Sequence, residues 1–166
     1  MITFIEAFQQ EFAHEIIGTQ KMLALVPADK MDYKPHPKNM SLKDLATHIA
    51  DLPTWITMGL TTDELDFATA PYNPKDCKNA EELVAYFISN VAAAQAHFAN
   101  SSDAILEEKW TLRNGEIIYM QQSKLMTIRH AYCQMVHHRA QLGMYLRLLN
   151  IAIPGVYGPS ADESGM

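Results

Sequence analysis

Apolar residues recur at threes and fours from the start of the chain. Ile5, Phe8, Phe12, Ile16, Leu23 and Val26 draw one stripe along a helix. Pro27 closes that run, because proline lacks the amide hydrogen and disfavours helix in the residue before it. A first helix is therefore predicted over roughly residues 2–25. A second stripe runs through Leu42, Leu45, Ile49, Leu52 and Ile56, opened by Ser41 as N-cap with Asp44 three places on, in the manner of a capping box. Pro53 lies inside it and predicts a kink, since the period continues to Leu60.

Residues 61–78 are turn-rich and carry Pro71 and Pro74. Asn79 then caps a third helix, with Glu81 and Glu82 in the first turn, where the helix dipole favours acids. Its stripe is Leu83, Phe87, Val91, Ala94 and Phe98, and a short helical turn near Ser102–Glu108 follows. Between Trp110 and Gln121, Asn114-Gly115 separates two extended runs, which predicts a small β-hairpin or an extended arm. A fourth helix spans about Ser123 to Leu149 on Leu125, Ile128, Tyr132, Met135, Leu142, Leu146 and Leu149. Asn150 can cap its end, and Pro154, Gly155, Gly158 and Pro159 keep the tail from about residue 151 irregular. Four amphipathic helices with almost no strand bury their stripes together as a bundle. The expected fold is all-α: one four-helix bundle domain over residues 1–166, with the small hairpin or arm before helix four.

Composition narrows the function. A hydrophobic content of 48% suits one globular core, and a net charge of -6 without a basic face argues against nucleic acid as a partner. No basic leader is read at the start, and no apolar run approaches the roughly 18 residues that would cross a bilayer. Cys77 and Cys133 form neither a CxxC pair nor a disulfide framework, so a reducing cytoplasm is expected. Cys133 sits mid-helix beside apolar residues and reads as a small packed side chain. The chain has no Gly-x-Ser-x-Gly motif, P-loop or dinucleotide fingerprint.

Seven histidines remain, and two of them fall on apolar stripes. His48 follows Leu45 by three and precedes Leu52 by four; His138 stands in the same relation to Met135 and Leu142. One inward histidine is usually a core residue bonded to a carbonyl or water. Two from different helices can share a centre, because bundle interiors are where facing helices build metal sites. Zinc or nickel normally takes three protein ligands and keeps a position open for chemistry. The third ligand belongs one turn before His138, and that position is Gln134, a neutral amide. His130 and His137 lie on another face and read as surface or interfacial groups.

The segment His137-His138-Arg139-Ala140-Gln141-Leu142 resembles the helix-four motif His-x-x-His-His-Arg-Gly-Gln of the DinB/YfiT-like family. Ser41-Leu42-Lys43-Asp44-Leu45-Ala46-Thr47-His48 is similar to its helix-two motif, and Asp32–Pro37 and Tyr157–Glu163 are similar to one of its subgroups. The resemblance implies a four-helix bundle, often a homodimer, with a divalent metal held by three histidines. Transferred residue by residue, the metal set is His48, Gln134 and His138, with Gln134 in the place of a family histidine. Ala140 likewise stands where the family has glycine. Some relatives are thiol S-transferases, so the resemblance implies a metal-dependent transferase or hydrolase acting on a small-molecule thiol or electrophile. The alternative is a non-catalytic dimeric binding or stress-related protein whose metal site has degenerated at Gln134.

Overall fold

Thr3 starts the first helix by accepting from the Glu6 amide, while the Glu6 carboxylate accepts from the Thr3 amide, a complete capping box. The computed structural model describes residues 1–163, and the last three residues of the tail lie outside them. Helix α1 spans Phe4–Leu23. Ser41 caps α2, Leu42–Asp51, by accepting from the Asp44 amide. Pro53 then opens a separate helix, α3 (Pro53–Thr61), as its first residue, where a missing N–H costs nothing. Leu52 between them keeps helical angles (φ -54°, ψ -32°), and the expected kink falls where Pro53 lacks an amide donor.

A short strand, β1 (Glu64–Asp66), follows. Asn79 caps α4, Ala80–Ala99, by accepting from the Glu82 amide. Strands β2 (Lys109–Asn114) and β3 (Ile117–Ser123) form the expected hairpin. At its tip only Gly115 has a positive φ, 58°, the pattern of a turn with glycine at its first central position. Ser123 caps α5, Lys124–Leu148, and Asn150 beyond it takes a left-handed φ of 59°, as a C-terminal stop requires.

Two expectations need correction. The protein is mostly helical but not all-α: β1 pairs in parallel with β2, which pairs antiparallel with β3, giving a three-stranded sheet. There are five α-helices among the described residues rather than four, because Pro53 interrupts the second run.

Helix α1 packs on α4 and α5, and both α2 and α3 pack on the same pair. Phe12 stacks on Tyr132 at 5.7 Å, Phe8 meets the same ring edge-on at 5.6 Å, and the Tyr132 hydroxyl donates to the Phe8 carbonyl at 2.7 Å. Each such ring buried contributes on the order of 1.5–3 kcal/mol from its apolar area. The sheet is tied to the helices at the base of α5. There the buried Lys124 ammonium reaches Asp63 at 2.9 Å and Glu108 at 2.8 Å. No helix among the described residues is long and apolar enough to cross a membrane.

Candidate functional site

Helix α2 is anchored by Leu45, Ala46 and Ile49, all essentially inaccessible, and His48 sits at the rim of that face, half-buried. On α5, Met135, Arg139 and Leu142 are buried and place His138 at the matching rim, also half-buried. The two rings stand edge to face, 4.7 Å between centroids, with their planes 80° apart. Phase along two separate helices thus puts both imidazoles at one point, as the sequence predicts.

His138 is oriented from its own helix. Its Nδ1 lies 2.7 Å from Gln141 Oε1, so with that oxygen accepting, the proton sits on Nδ1 and the Nε2 lone pair is left available. Burial lowers the His138 pKa below the ordinary 6.5, helped by the neighbouring His137 and opposed by the Gln141 hydrogen bond. Burial likewise lowers that of His48, followed by repulsion from His138, and the Asp51 carboxylate opposes both. Asp51 is itself held by the Tyr86 hydroxyl of α4, which donates to it at 2.5 Å. The pair is therefore biased toward neutral rings, the form that presents a lone pair.

Gln134 is half-buried and lines a pocket of about 180 Å³ together with His48, Leu52, Trp55, His130 and Ala131. Its Nε2 lies 3.4 Å from His130 Nε2, one turn earlier on α5. His130 and His137 are exposed, the latter with its ring 4.9 Å from that of His138.

The donor set fits a divalent ion at two corners. Two imidazole nitrogens bound to one ion at about 2 Å lie on the order of 3–4 Å apart, a separation that rings 4.7 Å apart at their centroids can reach. The Gln141 contact supplies the outer hydrogen bond that fixes a ligating histidine. The third corner is a neutral amide. Among the described residues, no three His, Cys, Asp or Glu side chains gather where a metal could be held.

Asp51, Gln141 and Trp55 complete the surroundings and were not singled out from sequence. Asp51 and Gln141 each lie three residues beyond a site histidine and Trp55 seven beyond His48, one- and two-turn spacings on a helix, so periodicity could have proposed them. Cys133 is a correction: it is exposed, with Arg129 Nη2 4.0 Å from its sulfur. It follows the buried Tyr132 by one residue, and about 100° of helical turn carries it off the core face.

Residues 1–165 match the family model of the DinB family. The chain is 23% identical to the uncharacterised protein YrdA of Bacillus subtilis over 171 residues, covering 98% of this chain and 93% of that one. Its structure is similar to a DinB-like protein from Bacillus cereus, with a TM-score of 0.72 at 20% identity over 95% of this chain and 100% of the other. A second DinB-like protein, YjoA from Bacillus subtilis, gives a TM-score of 0.70 at 14% identity over 90% of this chain and 97% of that one.

Proposed function

Since the chain belongs to the DinB family, we propose that its histidine pair is a weakened divalent-metal pocket, for nickel or zinc, with His48 and His138 as imidazole ligands. Gln134 completes the set through its amide oxygen. The observation that carries this reading is the 4.7 Å approach of two half-buried imidazoles from separate helices. A bound ion would supply Lewis acidity that lowers the pKa of a thiol or water, the chemistry a thiol S-transferase or hydrolase needs.

The chain's own residues do the preparatory work. Gln141 fixes the His138 ring and its tautomer. Partial burial keeps both rings uncharged near neutral pH. Leu52 and Trp55 give the adjoining pocket apolar walls that favour the carbon skeleton of a small thiol or electrophile over water.

A second reading has its own support. The absence of a third charged or imidazole ligand among the described residues favours a binding protein in which the same pocket holds a small molecule without a metal.

Metal content separates the two. Protein stripped of metal, soaked with nickel or zinc and dialysed is expected to retain close to one ion per chain, and His48→Ala and His138→Ala are each expected to abolish retention. Retention below about a tenth of an equivalent per chain after soaking, where a site of micromolar Kd would fill, removes the metal reading and leaves the binding protein.

A further inference from the structure

One helical step from His48, a separate pocket of about 440 Å³ opens between the start of α2 and the connector that precedes α4. Its size is in the range that small-molecule sites occupy. Thr47 is only 3% exposed and forms part of the pocket floor, its hydroxyl enclosed beside the Cys77 thiol. The Cys77 thiol is raised chiefly by burial, and its contact with the Thr47 hydroxyl pulls the other way.

The charges around the pocket are not all satisfied by one another. Lys43 reaches Asp76 at 2.6 Å, and Lys78 pairs with the same carboxylate, so those groups are spoken for. Asp44 and Lys75 are not: neither makes an ion pair among the described residues, and both line the pocket. The Lys75 ammonium is held over the Tyr86 ring, 4.8 Å from its centroid, a contact that fixes its position without consuming its N–H donors. Tyr72, also at the wall, is raised above its usual value by burial first and by Asp51 and Asp44 next, so it stays a phenol able to donate. Met40 and Pro74 supply apolar surface.

A simple anion bound to Lys75 would also face Asp44, and a simple cation on Asp44 would face Lys75. One ligand class satisfies both. We propose that this pocket binds a zwitterionic small molecule of the amino-acid type, its ammonium on Asp44 and its carboxylate on Lys75. The apolar part of the ligand lies against Met40 and Pro74. This site does not depend on a metal at the histidine pair, and either reading can fail without the other.

The test is an NMR titration of the intact, metal-free chain in the presence of EDTA, with L-methionine as the probe. Its N-acetyl and C-amide derivatives each remove one of the two charges. L-methionine is expected to shift residues of the pocket saturably, and each blocked derivative to bind at least about tenfold more weakly, roughly 1.4 kcal/mol per lost charge contact. In Lys75→Met the amide should bind as well as the parent, and in Asp44→Asn the N-acetyl derivative should do so. Both substitutions are at exposed positions, and an unchanged melting curve confirms that each variant folds. The proposal is overturned by no saturable shift up to about 10 mM, well beyond the millimolar range of a weak but specific site. Equal binding of the blocked derivatives to the wild type, or variants that leave the discrimination intact, would overturn it as well.

Discussion

Arg139 and Glu15 meet at 2.6 Å with both side chains almost wholly buried, joining α5 to α1. The guanidinium also donates to the Glu15 carbonyl and the Thr19 hydroxyl, each at 3.1 Å, and to the Tyr157 hydroxyl at 2.8 Å. Tyr157 in turn donates to Glu15 Oε1 at 2.8 Å, so the C-terminal tail is drawn onto the ion pair. Arg139 directly follows His138 on α5, so its tie to Glu15 on α1 helps set the rotation of that helix.

Removing one partner is expected to cost more than removing both. Arg139→Met leaves a buried carboxylate without its cation and should destabilise the chain by about 3–5 kcal/mol, whereas Glu15→Met with Arg139→Met together should cost less than either single change. Urea unfolding of the three variants measures this. A double variant as unstable as the sum of the singles would show that the two groups do not act as a pair.

The histidine pair predicts a pH dependence for the metal-free protein. Both rings have folded pKa values below the usual 6.5, chiefly from burial. Between the folded values and 6.5 the unfolded chain binds more protons, so stability is complete above 6.5 and is lost as the pH falls through it. Urea unfolding between about pH 8 and about pH 5 should show that decline, and His48→Gln should flatten it. A slope unchanged in the variant would place the titration elsewhere.

Much of this was legible in the chain because it is local. Ser41 and Asn79 are side-chain oxygens placed just before apolar stripes, and each caps a helix. Asn114-Gly115 marked the hairpin, and helical phase alone put His48 and His138 on facing stripes. What escaped depends on partners distant in sequence. β1 is three residues long with no alternation of its own, and it is a strand because Thr111 and its neighbours on β2 offer an edge. Glu15 and Arg139 read as polar positions until each supplies the other's counter-charge. The link from His48 through Asp51 to Tyr86 crosses from α2 to α4, which no single-helix pattern contains.

Asp66 ties β1 to the hairpin tip. Its Oδ1 accepts from the Gly115 and Ala68 amides, each at 2.9 Å, and Arg113 Nε lies 3.4 Å from its other oxygen. Those two amide bonds first, and Arg113 after them, hold its carboxyl below the usual 3.8. Its stabilising effect is therefore present above 3.8 and is lost as the pH falls through the lower folded value. Asp66→Ala is expected to raise hydrogen exchange at the hairpin amides by about tenfold or more while leaving the α1 and α5 core amides protected, as local opening without global unfolding requires. Equal loss of protection in the core would mean that Asp66 supports the whole fold.

The sharpest prediction concerns Gln134. It lies one helical turn before His138 and shares the small pocket with His48, yet its Nε2 is directed at His130. Gln134→His would bring a third imidazole to the corner that now holds a neutral amide, and nickel or zinc should then bind at least about 100-fold more tightly than to the wild type, roughly 2.8 kcal/mol. His130→Ala serves as the control, because it frees the native amide without adding an imidazole and should change affinity far less. Equilibrium dialysis against a competing chelator gives both numbers. If the wild type already binds as tightly as Gln134→His, the glutamine is a sufficient ligand and the site is not weakened; if neither binds, the two imidazoles are close for a reason other than metal.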